Sequence, residues 1–127
     1  MDDVRTGGCS CGAVRFTLKG EPFKLGLCHC TTCRKASGSM FVAYALWPLS
    51  ASRVEGEVKT FAGRSFCPNC GSRLFELHDN DIEVTIGSLD DAPTGLTPVV
   101  EIWVKRRERW LAPVPGARQH QEGPPRA

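Results

Sequence analysis

The sequence predicts a mainly β domain with little helix. Three observations predict it. Runs of β-branched and aromatic residues alternate with polar ones, glycine and proline interrupt the chain at close intervals, and only one short stretch reads as helical. At 127 residues the chain is the size of one domain, large enough for a modest core that would gain from extra crosslinks.

The elements follow in order. Gly12–Gly20, GAVRFTLKG, alternates with Val14, Phe16 and Leu18 on one face, the pattern of a half-buried strand. TTCRKAS, residues 31–37, is the helical candidate, with Thr31 or Thr32 placed to cap it. Phe41–Trp47 is β-rich in composition, and Val54–Phe61 carries a weaker strand pattern. LFELHDNDIEVTIGSL, residues 74–89, reads as a hairpin turning at His78-Asp79-Asn80-Asp81. Pro98–Lys105 is a further strand, with Val100, Ile102 and Val104 on one face. After Leu111 the chain becomes rich in proline and glycine. The expected organisation is therefore a single domain over residues 1–111 and an extended tail over 112–127.

Charge excludes some partners. Sixteen Lys and Arg against fourteen Asp and Glu leave no excess that would make nucleic acid or an acidic membrane the default partner. The run KRRER (Lys105–Arg109) reads as a solvated edge strand rather than a phosphate-binding stripe. The start, MDDVRTGG, has no apolar h-region, and the longest apolar run, Met40–Leu49, is about half of a membrane span. A soluble, cytoplasmic protein is expected.

Seven cysteines are the unusual number. In a reducing cytoplasm disulfides explain them poorly, and an odd count leaves one thiol over, so metal binding is the better default. Cys67 and Cys70 form C-x-x-C in FCPNCGSRLF, where Pro68 and Asn69 tighten a turn and Gly71 permits positive φ after it. Such a knuckle supplies two of the four thiolates of a closed tetrahedral zinc site. Cys9 and Cys11, C-x-C in GGCSCGAV, are the natural other pair. A redox reading of CPNC would need a helix after the first cysteine, whereas GSRLFEL reads as a turn and a strand.

That pairing leaves Cys28, Cys30 and Cys33 in LCHCTTCRKASG. Three protein ligands and one open position are the pattern of catalytic zinc, and an all-thiolate set suits sulfur chemistry better than hydrolysis. Two other readings stay open: a second closed site completed by His78, His120 or Asp90, and buried free thiols. In an extended C-H-C, His29 projects opposite to Cys28 and Cys30, which makes it a packing or outer residue rather than a ligand. Sulfur-only ligation favours zinc, with iron as the alternative.

Taken together, GGCSCGAVRF, CHCTTCRKASG, FCPNCGSRLF, IGSLDD and EIWVKRRERWL resemble the glutathione-dependent formaldehyde-activating enzyme (GFA) family, a domain also found in the centromere protein V group. The blocks run from about residue 7 to 120, nearly the whole chain. The resemblance implies a β-tent type fold with two zinc ions per chain. Cys9, Cys11, Cys67 and Cys70 would hold the structural ion, and Cys28, Cys30 and Cys33 the catalytic one. It further implies a carbon–sulfur lyase whose small-molecule partners are a thiol such as glutathione and formaldehyde or a related aldehyde. Arg34 and Lys35, beside the site, could pair with a glutathione carboxylate, or be ordinary solvated charges. Asp90 and Asp91 read as a turn, and Trp103 and Trp110 as core or groove wall. Glu101 departs from the family pattern, which has His there, so specificity could differ. The other class of function is a non-catalytic, zinc-stabilised module that binds a protein partner. An open coordination position separates the two readings, since a scaffold gains nothing from one.

Overall fold

The computed structural model of the chain describes residues 3–123. Strands take up 40% of them and helical turns 13%, so the fold is mainly β with little helix, as expected. β1 (Val4–Gly8), β2 (Arg15–Lys19) and β3 (Lys24–Cys28) lead into α1 (Thr31–Ser37). β4 (Val42–Pro48) and β5 (Ser52–Glu55) follow, then β6 (Lys59–Phe61), β7 (Arg64–Phe66), β8 (Arg73–Leu77) and β9 (Asp81–Thr85). β10 (Val100–Ile102) and β11 (Arg118–Gln119) come last. These elements form two compact units, one built on the residues up to Lys24 and on Ala45–Gly95, the other on Leu25–Tyr44 and on Leu96 onward.

In the first unit, β2 lies between β1 and β5 in an antiparallel sheet, and β6 to β9 form an antiparallel meander. Alternation sorts the side chains: Phe16 and Leu18 are buried while Arg15, Thr17 and Lys19 face out. With Val14, Trp47, Leu74, Phe75, Ile82 and Val84 they make a core in which none is more than 1% exposed. Each such side chain contributes about 1.5–3 kcal/mol by leaving water. Phe16 meets Phe75 edge-on, with ring centroids 6.2 Å apart. The Trp47 indole N–H donates to Gly20 O at 2.9 Å, so the one polar atom of that ring is satisfied.

The hairpin forms where its turn residues placed it, and His78 N–H donates to Asp81 O at 2.9 Å to close its turn. Val54–Phe61, expected as one strand, is instead split between β5 and β6, which belong to different sheets. Gly56 is the reason. Its φ is +103°, and a Cβ there would stand 2.2 Å from the Ala13 carbonyl oxygen, so the chain turns against β2's approach instead of running straight.

In the second unit β10 lies between β3 and β11 and runs parallel to both, with Glu101 opposite Leu27 on one side and Gln119 on the other. The expected strand Pro98–Lys105 shrinks to three residues. Trp103 takes a left-handed conformation (φ +58°) and starts a 3-10 turn over Val104–Arg106, which removes Val104 from the strand face. KRRER is therefore no edge strand. Lys105 pairs with Glu122 and lies 5.3 Å over the Trp103 ring, and Arg107 donates to Gln119 Oε1 at 2.6 Å. Part of the proline- and glycine-rich segment is also strand: Arg118 N–H donates to Val99 O at 3.0 Å, and His120 N–H to Glu101 O at 2.9 Å. Among the described residues, no helix is long and apolar enough to cross a membrane.

Candidate metal centre

The cysteines gather as two separate groups. Cys9 and Cys11 occupy the turn between β1 and β2, and Cys67 and Cys70 the turn between β7 and β8. Both turns are closed by the backbone: Cys9 N–H donates to Val14 O at 3.0 Å, and Gly71 N–H to Cys67 O at 2.8 Å. Gly71 sits at φ +81°, the conformation the knuckle requires. Ser10 N–H donates to Ser72 Oγ at 3.0 Å and ties one turn to the other.

The four sulfurs all lie within 4.8 Å of one another. Cys9 Sγ is 3.6 Å from Cys11 Sγ, which is 3.8 Å from Cys67 Sγ. A tetrahedron of sulfurs at the usual zinc–thiolate distance has edges of about 3.8 Å, so the set fits such an ion. The donors around the sulfurs fit thiolates. Val14 N–H reaches Cys9 Sγ at 3.2 Å, and the Asn69 side-chain amide reaches Cys11 Sγ at 3.3 Å. Hydrogen bonds from the Ser72 hydroxyl and backbone hold Cys70 down to about 5. Burial raises Cys9, but the Val14 N–H and the thiols of Cys11 and Cys67 outweigh it and leave it lowered. At Cys67 the Cys70 N–H favours the thiolate, yet burial and the sulfurs of Cys9 and Cys11 push the thiol up. Four thiols in one space cannot all ionise without a cation among them.

The second group sits at a strand–helix junction. Cys28 ends β3, Cys30 is the N-cap of α1, and Cys33 lies in its first turn. The sequence offered Thr31 or Thr32 as the cap. The structure uses the residue before them, because the Cys30 sulfur accepts the Cys33 N–H at 3.3 Å. Cysteine here replaces the usual hydroxyl or carboxylate cap. The three sulfurs lie within 4.8 Å of one another, Cys28 buried and the other two partly exposed. The group has three members. His78 belongs to a different group, with Glu76 and Glu83, and its Nε2 is 3.5 Å from Glu83 Oε1. Asp90 accepts from Thr6 Oγ1 at 2.6 Å and is paired with Arg15, which holds its carboxyl down to about 2. His120 contributes its backbone to β10 and to Val104.

His29 turns away from its two cysteine neighbours, as an extended C-H-C requires. It is 1% exposed, packs 5.8 Å from the Phe41 ring, and sets Nε2 2.7 Å from Glu101 Oε1. Glu101 is equally buried. Burial raises its carboxyl, but hydrogen bonds from Gln119, Val114 and His29 prevail and hold it below the usual carboxylate range. The partners from the C-terminal segment were not foreseen. A glutamate inside the apolar stretch PVVEIWV was the available signal, since a buried charge must find partners.

Arg34 and Lys35 stand on α1, at an open recess of about 440 Å³ lined by Thr31, Gly38, Ser39 and Met40 as well. Arg34 is committed to its own unit: it donates to Glu108 Oε2 at 2.6 Å and to Arg106 O at 2.9 Å.

Known proteins share this sequence and fold. A Schizosaccharomyces pombe protein described as an uncharacterised lyase is 38% identical over 79 residues, 58% of either chain. A Halomonas elongata protein named as a candidate glutathione-dependent formaldehyde-activating enzyme is 31% identical over 83 residues, 54% of this chain and 53% of that one. The chain thus spans little more than half the length of these curated relatives. The crystal structure of a Rhodobacter sphaeroides protein matches with a TM-score of 0.55 over 73% of this chain and 97% of the other, at 23% identity, which is a likeness of fold. The family model described as glutathione-dependent formaldehyde-activating enzyme matches residues 4–106, and the chain belongs to that family.

Proposed function

We propose that this chain is a zinc-dependent carbon–sulfur lyase that joins a small-molecule thiol such as glutathione to formaldehyde or a related small aldehyde. The observation that carries the reading is the three-cysteine group, an all-sulfur set one ligand short of closure at a partly exposed strand–helix junction. The relatives' names support the same chemistry. In this reading Cys9, Cys11, Cys67 and Cys70 hold a structural zinc, and Cys28, Cys30 and Cys33 a catalytic one. Residues 1–111 are the zinc-binding domain and 112–127 its appended segment. A reducing cytoplasm is where such thiols stay available.

The reaction is an addition. The thiol sulfur bonds to the carbonyl carbon, the C=O π pair moves onto oxygen, and the thiol proton ends on that oxygen. Run backward, the C–S bond breaks, which makes the enzyme a lyase. Zinc at the three cysteines would supply Lewis acidity and a position that accepts sulfur. The chain's own residues bind and orient. Lys35 offers an ammonium to a substrate carboxylate across the recess. Arg34, anchored by Glu108 and Arg106 O, shapes the recess wall beside it. Holding two reactants in line is where most of the gain lies for an addition that also occurs in solution.

Elemental analysis of protein purified without chelator tests this reading first, and two zinc ions per chain are expected. Glutathione with formaldehyde is then the assay. Cys30→Ser should abolish activity while the fold persists, because serine is itself a preferred helix cap but a poor soft ligand. One zinc per chain, with no thiol-adding activity, would sink the enzyme reading and favour a binding module.

A further inference from the structure

The Glu101 carboxylate is shared between two parts of the chain far apart in sequence. Oε1 meets His29 Nε2 at 2.7 Å, and His29 is the residue between two members of the three-cysteine group. Oε2 accepts the Val114 N–H at 2.7 Å and the Gln119 side-chain amide at 2.9 Å. Each oxygen thus serves one side, the cysteine loop or the C-terminal segment. The backbones repeat the arrangement: His29 N–H donates to Ile102 O at 3.1 Å, and His120 N–H to Glu101 O at 2.9 Å. An ionised carboxylate only accepts, so His29 presents Nε2–H to it, which fixes the imidazole's tautomer and tilt. Arg107, 3.7 Å away at Nη1, adds positive charge to the same oxygen.

We infer that Glu101 is a positioning residue through which the C-terminal segment, at Val114 and Gln119, holds the Cys28–Cys33 loop in its metal-binding geometry. The physical case rests on cost. A carboxylate that is 1% exposed is stable only while its partners are in place. Removing the partners on Oε2 leaves a buried charge under-satisfied, and the cheapest relief is for β10 and His29 to shift. His29 is also tied to β10 through its backbone N–H to Ile102 O, so a shift of β10 carries the backbone between Cys28 and Cys30 with it. Outer partners of this kind typically change metal affinity by about 10–100-fold when lost. The segment that composition marks as a tail is then part of the site.

The inference rests on the reading of Cys28, Cys30 and Cys33 as metal ligands, and the test separates the two. Cobalt(II) is titrated into the full chain, with sulfur-to-metal charge transfer reporting thiolate ligation and a competing chelator giving both affinities. The four-cysteine group lies in the other compact unit and serves as an internal control in the same molecule. Gln119→Ala removes a donor from an exposed side chain, and Val114→Pro removes the backbone donor. Each should weaken the second cobalt by about tenfold or more, leave the first unchanged, and alter the second site's ligand-field bands. Gln119→Asn, which keeps an amide, should recover part of the affinity, as a purely structural role would not. Unchanged affinity and bands at the second cobalt in both variants would overturn the inference while leaving the ligand assignment standing. A wild-type chain that takes up only one cobalt would overturn the ligand assignment, and the inference with it.

Discussion

In the proposed reading, the two cysteine groups use the same donor atom for different physical work. Cys9 and Cys11 are separated from Cys67 and Cys70 by the whole stretch from Gly12 to Phe66, so an ion there would close a long loop between two β-turns. Its effect is to restrict the unfolded chain and to join two strand pairs, and the cost of closing that loop is offset by four metal–sulfur bonds. Cys28, Cys30 and Cys33 lie within six residues, on a junction that β3 and α1 already fix. An ion at that junction would close almost no loop, so it would restrict the unfolded chain far less than an ion at the first group. In that reading, distance along the chain distinguishes a fastening from a working site when the ligands cannot.

The sharpest break of that contrast would come from Cys67→Ser. Its sulfur is fully buried in the four-cysteine group, and structural zinc contributes about 10 kcal/mol or more of apparent folding free energy in small domains. The variant should lose cooperative thermal unfolding by circular dichroism, and a native-like melt would show that the long loop is held by the core alone. Graded chelation should come next in size. The three-sulfur group should give up its zinc at lower chelator concentration, with activity lost before the larger fall in melting temperature that accompanies loss of the other ion. Simultaneous loss of both ions would erase the distinction between the groups.

Smaller effects sharpen the picture. Lys35→Ala should raise KM for a carboxylate-bearing thiol several-fold, about 1 kcal/mol, with kcat unchanged. A fall in kcat instead would place that ammonium at the reacting atoms. The smallest effect belongs to Asp90→Asn, which breaks the partly exposed pair with Arg15 and should cost less than about 1 kcal/mol in denaturant titrations. Asp90 is held down to about 2 in the folded chain, so its contribution is complete above the ordinary carboxylate value of 3.8. It fades as pH falls through about 2. The gap between variant and wild type should accordingly be constant from pH 7 to 5 and narrow as pH falls from about 4 to about 2; a gap unchanged through that lower range would mean Asp90 titrates normally.

Much of the first unit was legible because its strands have one wet face. In β2 and β9 alternation carries the signal, and the β8–β9 connection is marked by its turn residues. The cysteine groups were legible from spacing, since C-x-C and C-x-x-C fix sulfurs on one side of a turn. The remaining features depend on contacts that local pattern does not encode. β3 is buried through its last three residues and therefore lacks alternation. The left-handed turn at Trp103 has no sequence signature, because bulky residues seldom adopt it. The α1 cap went to Cys30 because a sulfur can accept an N–H there as a hydroxyl does. The His29–Glu101 pair spans 72 residues, and its partners Val114 and Gln119 sit in a stretch whose composition reads as tail.

The spacing of the sulfurs also sets a timetable. A growing chain presents Cys28, Cys30 and Cys33 almost together, whereas Cys9 and Cys11 must wait for Cys67 and Cys70. At about 5–20 residues per second, that wait is roughly 3–12 s. During it two thiols stand unprotected in the nascent chain, open to oxidation or to a wrong ion. The order in which the thiols leave the ribosome is thus the reverse of the order in which their groups can be completed.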